Sequence, residues 1–545
     1  MRAPRIFPVL LGLALLLSAA APAAAPASVR EAMESIREPA IRAHLAFLAD
    51  DLLEGRATGS RGGAIAARYI AAQLAASGVE PIGDSYYQTV PLNGWRARPQ
   101  RTHLDFTAGQ RTLALQYGDD AVIWTAGGAD SASVTGEVVF IGYGVTAPEY
   151  DWDDFKGRDL TGRIAVVLVP DPPAPPQHDI FDGRAMSFYG RWTYKVEEAA
   201  RRGAAAVLVV HTPDGAGYSW GVVRSSFTGE QLSLRGGTQP PRPVLQGWVS
   251  LDAARRMFAL GNHNLSELYV RAARRDFQPL FTGITASIRT TGTVRRLQSA
   301  NVVGMVTGRH PTRRNDAVIY TAHYDGLGIG APANGDSIYN GAYDNASGVA
   351  ALLEIARAFA SLDTPPDRSV VFLFPTAEEA GLLGSTWYTQ QPLVPMQRTV
   401  AALNLDGVNI WGETEDVGGV GLERSTLGVA FERQAAVLGL RVTGERAPEK
   451  GFFFRSDHFP FARAGVPALF IDHGVTFRNR PPDWGINILS RFEADRYHLP
   501  GDRYEPGIDL AGAVQQARLA FLVGHDVASA AERPRWYPGA TIPRP

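Results

Sequence analysis

The sequence of 545 residues contains no cysteine. This absence excludes a disulfide scaffold, a thiolate nucleophile and a zinc site with thiolate ligands. Any metal site in this chain must therefore be built from His, Asp and Glu side chains.

The sequence also lacks an excess of charge of either sign, since 53 Lys and Arg residues nearly balance 55 Asp and Glu residues. A balanced chain offers no electrostatic basis for binding nucleic acid or an anionic membrane surface, so we expect neither as a partner. The length, with 45% hydrophobic residues, is typical of two or three domains with substantial cores.

Apolar runs long enough to cross a membrane are also lacking, because none approaches the roughly 20 residues that a membrane helix needs. The longest apolar run, Val9 to Leu17, follows Arg2 and Arg5 and precedes the small residues Ala23 to Ala25. This order predicts a secretory signal peptide over residues 1–25, and a membrane anchor is the alternative. We therefore expect an exported bacterial protein, periplasmic or secreted, with no membrane span in the mature chain.

The sequence pattern changes twice after this segment. Residues 28–100 show helical spacing of apolar side chains, and residues 101–296 consist of short β-type runs broken by Gly and Pro, with a helix predicted at 191–202. Strands and helices then alternate over residues 297–533, where Ser369–Phe374 is one predicted strand. This predicts an α/β fold, a mostly parallel sheet flanked by helices, with a β-rich α+β accessory domain inserted at 101–296. Residues 534–545 form a Pro-rich C-terminal tail.

Ionisable residues stand where the predicted strands of residues 297–533 end, or in the loops before helices. Ligands of such folds collect at the carboxyl ends of the strands. Several carboxylates brought together repel one another unless cations neutralise them. Imidazole and carboxylate ligands suit zinc, and the set is large enough for two metals that share one carboxylate. The residues are His323, Asp325, Asp344, Glu378, Glu379, Asp406 and His498.

Each of these residues also has an ordinary structural explanation. A histidine at a strand end can be a hydrogen-bonded structural residue, and an acidic pair can begin a helix. A single aspartate can cap a helix or bound a turn. The occurrence of all seven in one α/β domain favours the metal site. Other histidines are interpreted as surface or packing residues: His44, His103, His178, His211, His263, His310 and His525. We assign no role to Asp457, His458 or His473.

Six motifs add a family resemblance: TAHYDGLG from Thr321, GAYDNASGVAALLE from Gly341, FPTAEEAGLLGS from Phe374, NLDGV from Asn404, SDHFPF from Ser456 and YHLPGD from Tyr497. Through them, residues 300–530 resemble the co-catalytic zinc aminopeptidases of metallopeptidase family twenty-eight, relatives of bacterial leucyl aminopeptidase and glutamate carboxypeptidase. The segment LEGRATGSRG from Leu53 is also similar to this family. Residues 102–295 resemble, more loosely, the protease-associated domain inserted into its larger members.

The resemblance implies two zinc ions per chain and a role for each residue. His323 and Asp406 would be terminal ligands of one zinc, Glu379 and His498 terminal ligands of the other, and Asp344 would bridge both. Asp325 would accept a hydrogen bond from the His323 imidazole. Glu378 would be the general base that takes a proton from the attacking water and returns it to the leaving amine.

The function implied is that of an exported zinc-dependent aminopeptidase that removes N-terminal residues from peptides. A glutamate-carboxypeptidase-like exopeptidase and a glutaminyl-cyclase-like acyltransferase with one zinc remain alternatives. A receptor-like relative that only binds partners is disfavoured, because all five ligands and the base are present.

Two features of the motifs depart from expectation. Gly407 follows Asp406 where the family pattern suggests a bulkier apolar side chain, which affects the shape of the pocket. Asn345-Ala346-Ser347 fits the N-glycosylation pattern, yet a glycan beside Asp344 would obstruct the site. This conflict favours an unglycosylated bacterial protein.

Overall fold

The computed structural model describes residues 27–125, 128–173, 181, 183 and 185–540. The predicted signal peptide, His178 and the end of the predicted tail, residues 541–545, lie outside the described residues. No helix in the described part of the chain is both long and apolar enough to cross a membrane.

The described helices and strands are numbered in chain order. The helices are α1 Ala27–Glu34, α2 Glu38–Leu48, α3 Arg61–Ala76, α4 Trp192–Arg201, α5 Pro213–Ala216, α6 Trp220–Thr228, α7 Leu251–Leu260, α8 Leu265–Ala272, α9 Gly348–Ala360, α10 Leu383–Gln390, α11 Leu427–Val437, α12 His458–Arg463, α13 Trp484–Asp495 and α14 Ala511–Ser529. The strands are β1 Glu80–Pro81, β2 Tyr87–Ala97, β3 His103–Ala108, β4 Arg111–Leu115, β5 Ala121–Thr125, β6 Ser131–Phe140, β7 Thr146–Ala147, β8 Trp152–Asp153, β9 Ile164–Leu168, β10 Ala206–Val210, β11 Gln231–Leu234, β12 Leu245–Val249, β13 Leu280–Val306, β14 Ala317–Thr321, β15 Gly328–Ala333, β16 Asp336–Tyr339, β17 Ser369–Phe374, β18 Thr399–Asn404, β19 Asp416–Val420, β20 Arg441–Thr443 and β21 Ala468–His473.

The central sheet has a parallel core of four strands in the order β17-β14-β18-β21. Antiparallel neighbours extend it on both sides, with β13 beside β17 and β19 beside β21. Every residue of β14, β17 and β18 is buried, because helices cover both faces of these strands. The structure confirms the predicted α/β class, with antiparallel strands at the margins of the parallel core.

The two faces of the central sheet pack into different cores. Alternate residues such as Val318 and Tyr320 face the core formed with α2, α3, α9 and α14. Their neighbours Ala317 and Ile319 face the opposite core, which includes residues of α10 and α12. The parallel strands are therefore held from both sides, which keeps their carboxyl ends together at one edge.

A second sheet is formed mainly by residues 101–296, in the order β4-β3-β13-β6-β9-β10-β12-β5. Strand β13 belongs to both sheets. Its first half pairs with β3 and β6, whereas Gly292–Val302 pairs with Ala97–Tyr87 of β2 in the central sheet. The predicted boundary after residue 296 therefore lies inside a continuous strand. Local apolar patterning did not reveal this strand, because its two halves pack in different surroundings.

Candidate metal centre

The seven predicted residues lie at the carboxyl edge of the parallel strands and in the loops above it. His323 and Asp325 follow β14, Glu378 and Glu379 follow β17, and Asp406 follows β18. Asp344 lies in the helical turn Ala342–Ser347 that leads into α9, and His498 lies in the loop between α13 and α14. The structure thus brings together residues that are up to 175 positions apart in sequence.

Five of these residues form two groups that share one aspartate. In the first group, His323 Nε2 lies 3.2 Å from Asp344 Oδ1 and 3.3 Å from Asp406 Oδ1. In the second, His498 Nε2 lies 3.3 Å from both Asp344 Oδ2 and Glu379 Oε2. In each group the three ligand atoms lie within 4.8 Å of one another. Each group can therefore hold one cation, and Asp344 directs one oxygen to each.

The electrostatics of this cluster show a need for positive charge. Burial raises the pKa of Glu379 to about 8 and that of Glu378 well above its usual range. Burial lowers the pKa of His498, but the carboxylates of Glu379 and Asp344 outweigh this effect and raise it to about 9. Glu378, Glu379 and His498 thus bind protons more tightly than separate side chains would, whereas hydrogen bonds to His323 and His498 outweigh burial and lower the pKa of Asp344. A divalent cation would take the place of these protons.

Asp325 contacts both His323 and Glu378. His323 Nδ1 lies 3.2 Å from the backbone carbonyl oxygen of Asp325 and 3.7 Å from Oδ1 of its carboxylate. That Oδ1 accepts a hydrogen bond from the backbone N–H of Glu378 at 3.1 Å, and Oδ2 accepts one from the Thr58 hydroxyl at 3.1 Å. The carbonyl oxygen is therefore the nearer partner of the imidazole, because other donors hold the carboxylate.

The orientation of Asp406 depends on a chain of hydrogen bonds that sequence reasoning missed. Ser456 Oγ donates to Asp406 Oδ2 at 2.5 Å, and Asn404 Nδ2 donates to Ser456 Oγ at 2.7 Å. Asn404 Oδ1 in turn accepts from the Thr321 hydroxyl at 2.6 Å. The available signal was a polar residue, Thr321 or Asn404, at the last position of an otherwise apolar strand.

Asp502 and Arg56 hold the loop that carries Asp344. The carboxylate of Asp502 accepts hydrogen bonds from the backbone N–H groups of Tyr343 at 2.8 Å and Asp344 at 3.0 Å. The buried guanidinium of Arg56 donates to four carbonyl oxygens, including that of Gly341 at 2.9 Å. Both residues occur in the motifs quoted above, but only the folded structure shows that they fix one loop.

His498 is oriented by stacking. The ring of Tyr497 lies over the imidazole with a centroid distance of 4.0 Å and an interplanar angle of 28°. Its Nδ1 is buried and has no hydrogen-bond partner among the described residues. The aromatic stack, and not a hydrogen bond at Nδ1, therefore directs Nε2 toward Asp344 and Glu379.

Gly407 and Tyr343 are sterically linked. A Cβ added to Gly407 would lie 2.6 Å from the ring of Tyr343, so the absence of a side chain at 407 leaves room for this ring. Tyr343 donates its hydroxyl hydrogen to His473 Nε2 at 3.1 Å, while His473 Nδ1 donates to the Gly474 carbonyl at 2.8 Å. His473 therefore supports Tyr343 and lies outside both ligand groups.

Asp457, His458 and Asn345 are all fully buried. His458 packs against Phe453 and Phe470, and burial lowers its pKa to about 3, so its imidazole is neutral. Burial raises the pKa of Asp457 to about 7. Asn345 donates to the Leu405 carbonyl and accepts from two backbone N–H groups, which excludes glycosylation of this asparagine in the folded protein.

A cleft of about 1890 Å³ opens in front of the ligand groups. One wall comes from the central domain and includes Asp344, Glu378, Asp406 and His498. Another part of the lining comes from the inserted residues, from the region of α4 to β12. A substrate at the candidate metal centre would therefore contact both parts of the chain.

This chain is similar to known proteins in both sequence and fold. The profile of peptidase family M28 matches residues 301–522, which contain every residue of the two ligand groups. Aminopeptidase YwaD of Bacillus subtilis (strain 168) is 27% identical over 209 residues, which cover 38% of this chain and 40% of that protein. Aminopeptidase NAALADL1 of Mus musculus is 40% identical over 113 residues, which cover 20% of this chain and 13% of that protein. The chain thus matches less than half the length of these curated relatives.

A solved structure shows that the fold is shared over nearly the whole chain. The aminopeptidase from Aneurinibacillus sp. strain AM-1 superposes with a TM-score of 0.53 and 21% sequence identity. The match covers 93% of this chain and 97% of that one, so it includes both sheets.

Proposed function

Because residues 301–522 belong to peptidase family M28, we propose that this protein is a zinc-dependent aminopeptidase that removes N-terminal residues from peptides. The observation that carries the proposal is the pair of ligand groups that share Asp344. The similar proteins named aminopeptidases support the choice of reaction.

The donor set fits two zinc ions. Each group offers one imidazole nitrogen and two carboxylate oxygens, which are ligand types that zinc accepts. His323 and Asp406 would hold one ion, Glu379 and His498 the other, and Asp344 both. When bound, such ions polarise a carbonyl group and lower the pKa of water.

Glu378 is the proposed general base. It belongs to neither ligand group, yet its Oε2 lies 3.9 Å from His323 Nε2, and its backbone is held by Asp325. Burial raises the pKa of its carboxyl group, which favours proton uptake. Glu378 would accept a proton from the attacking water and deliver it to the leaving amine. Asp325 would keep Glu378 and His323 in fixed positions relative to each other.

The inserted residues 101–296 are proposed to act as a protease-associated-like domain that shapes access to the centre. Inserted residues that line the same cleft as the ligand groups support this role. Export is also proposed, on the basis of the charged, apolar and small-residue order of residues 1–25. N-terminal sequencing of the protein recovered from the periplasm or medium tests export, and an uncleaved Met1 would contradict it.

A substrate panel tests the proposed activity. The full chain is expected to release amines from amino-acid anilides, to leave N-blocked dipeptides unchanged and to release no ammonia from glutaminyl peptides. Cleavage of only the N-blocked dipeptides would establish a carboxypeptidase instead, and loss of ammonia from glutaminyl peptides would establish a cyclase. Metal analysis of the same sample should find zinc, and an active sample without bound metal would contradict the proposal.

A further inference from the structure

The loop that connects β17 to α10, residues 375–382, carries both Glu378 and Glu379 and has a strained backbone. Ala377 has a φ angle of +56° and Leu382 one of +60°, a left-handed conformation that residues with a side chain rarely adopt. A hydrogen bond of 2.9 Å from the backbone N–H of Leu382 to the Glu378 carbonyl closes the loop. Strain of this kind persists only where the surrounding structure fixes the backbone.

One side chain, the fully buried Asn301 of β13, holds both ends of this loop. Its Oδ1 accepts a hydrogen bond from the backbone N–H of Thr376 at 3.1 Å, and its Nδ2 donates to the backbone carbonyl of Gly384 at 2.9 Å. Nδ2 also donates to Gln88 Oε1 at 2.9 Å, which fixes the orientation of the amide group. The side chain of Asn301 therefore joins the residues on either side of the two glutamates.

Gly384 leaves the space that this contact needs. A Cβ added to Gly384 would lie 2.5 Å from Asn301 Oδ1 and 2.2 Å from the carbonyl oxygen of Thr376. The φ angle of Gly384 lies outside the left-handed region, so the close approach, and not the backbone conformation, accounts for a glycine here.

Two more residues of β13 contact the same loop. Side chains alternate along a strand, so Leu297, Ser299 and Asn301 lie on one face of β13. Ser299 Oγ lies 2.7 Å from the hydroxyl oxygen of Thr376, and Leu297 packs with Ala377 in a small apolar core. One face of β13 thus supports the loop, and Asn301 provides its hydrogen bonds to the backbone.

We propose that Asn301 is a positioning residue that keeps Glu378 and Glu379 in place at the candidate metal centre. The inference rests on the proposed function, in which Glu379 binds one zinc ion and Glu378 accepts a proton. Groups that orient metal ligands through hydrogen bonds commonly contribute about 10- to 100-fold to metal affinity or activity. Because the loop supplies a ligand to only one of the two ligand groups, loss of Asn301 should weaken the binding of one zinc ion more than that of the other.

Stepwise release of zinc from the full-length enzyme by a chelator tests this role. In Asn301→Ala, one ion should leave at a chelator concentration about 10- to 100-fold lower than in the wild type, and the release of the other should shift by less than about threefold. With zinc in excess, kcat for an amino-acid anilide should fall by about 10- to 100-fold with little change in KM, because Glu378 is no longer held in position.

Ser369→Ala is the matched control, because Ser369 lies at the opposite end of β17 and its side chain also connects two backbone groups. The hydroxyl of Ser369 accepts a hydrogen bond from the N–H of Gly308 at 3.0 Å and donates to the Arg314 carbonyl at 2.7 Å. The melting temperatures of both variants measure the general loss of stability, but in Ser369→Ala the release of both ions should stay at the wild-type value.

If Asn301→Ala fails to fold, Asn301→Asp carries the same comparison, since it keeps the size and the acceptor but loses the donor to Gly384. Easier release of one ion, with both ions of Ser369→Ala unchanged, supports the positioning role. Wild-type release of both ions from the folded variant, or an equal shift of both, overturns it. A wild-type enzyme that binds no zinc would contradict the proposed function, and the role of Asn301 with it.

Discussion

Glu378 and Glu379 are neighbours in sequence, but their carboxylates contact different groups. Glu379 Oε2 lies 3.3 Å from His498 Nε2 and belongs to a ligand group. Glu378 Oε2 lies 3.9 Å from His323 Nε2 and belongs to neither group. The two residues are therefore expected to differ in function, one as a metal ligand and the other as a proton acceptor.

Substitution of each glutamate by glutamine separates these functions. Glu378→Gln should keep both metal ions and lower kcat by about 10²- to 10⁴-fold, the usual contribution of general acid–base catalysis, with little change in KM. Glu379→Gln should weaken metal binding, so that part of the activity returns at high zinc concentration. Metal content and kcat are measured for both variants. Loss of metal from Glu378→Gln with retention of both ions in Glu379→Gln would reverse the assignment.

Gly407 is constrained by contact with Tyr343 as well as by its backbone conformation. Its φ angle is +77°, and an added Cβ would meet the ring of Tyr343 at 2.6 Å. Gly439 has a similar φ of +68°, but an added Cβ would meet nothing within 4 Å. A comparison of the two positions therefore distinguishes the cost of backbone strain from the cost of steric overlap.

Substitution of Gly407 and Gly439 by alanine measures the energetic cost of the steric overlap with Tyr343. Gly439→Ala should lower the free energy of unfolding by about 1–2 kcal/mol, the cost of a left-handed conformation for a residue with a side chain. Gly407→Ala should cost a further ~1–3 kcal/mol, because the ring of Tyr343 must move. Chemical unfolding followed by fluorescence compares the variants. Equal losses would show that Tyr343 adapts freely to a side chain at 407.

At the scale of elements, the inserted residues are joined to the central domain by strand β13 and by an aromatic contact. Phe188 is buried, and its ring lies 6.1 Å from that of Phe454 and 5.7 Å from that of Phe459, measured between centroids. Arg463 lies over the same ring at 5.9 Å. This contact holds the two walls of the cleft together near Arg455.

Removal of the Phe188 ring should loosen the docking of the inserted domain. Phe188→Ala should destabilise the protein by about 3–5 kcal/mol, as for other buried phenylalanines. The control Phe281→Ala, at a position 39% exposed in β13, should change stability by less than about 1 kcal/mol. Thermal unfolding is combined with kcat/KM for a single-residue anilide and for a longer peptide. A larger loss for the peptide supports a role in substrate access, and equal losses contradict it.

For the whole molecule, the candidate metals would connect segments that are distant along the chain. The five ligands come from segments around residues 323, 344, 379, 406 and 498, and the fold holds their carboxylates close together in a buried cluster. Bound cations would offset the repulsion between these carboxylates. Metal binding should therefore stabilise the fold as well as support activity.

Removal of metal with a chelator tests whether bound ions stabilise the fold. A chelator should abolish activity and lower the melting temperature, and zinc should reverse both effects with about two ions bound per chain at saturation. Cobalt or manganese should substitute in part, because imidazole and carboxylate ligands select zinc weakly. In Asp344→Asn, which lacks the shared ligand, the chelator should shift the melting temperature much less. An unchanged melting temperature on metal removal from the wild-type protein would show that the ligand loops hold together without cations.

Local sequence patterns were sufficient to predict helices and strands that position the site. The predicted strand Ser369–Phe374 coincides with β17, and the helix predicted at 191–202 is observed as Trp192–Arg201. Short apolar runs between breakers specify such elements because burial on both faces demands apolar side chains at every position. The positions of His323, Glu379 and Asp406 were predictable for a related reason, since parallel strands direct their carboxyl ends to one edge. The family resemblance implied the division of the ligands into two groups, including Asp344 and His498.

Contacts between segments that are distant in sequence could be identified only from the tertiary structure. Strand β13 crosses the predicted domain boundary because different partners pair with its two halves. Gly407 leaves room for Tyr343, and the ring of Phe188 packs against that of Phe454, which is 266 positions away in sequence. Hydrophobic periodicity and motif spacing act over a few residues, so they predict elements and the ends of strands. Which side chains share a cleft is decided only when the two sheets pack against each other.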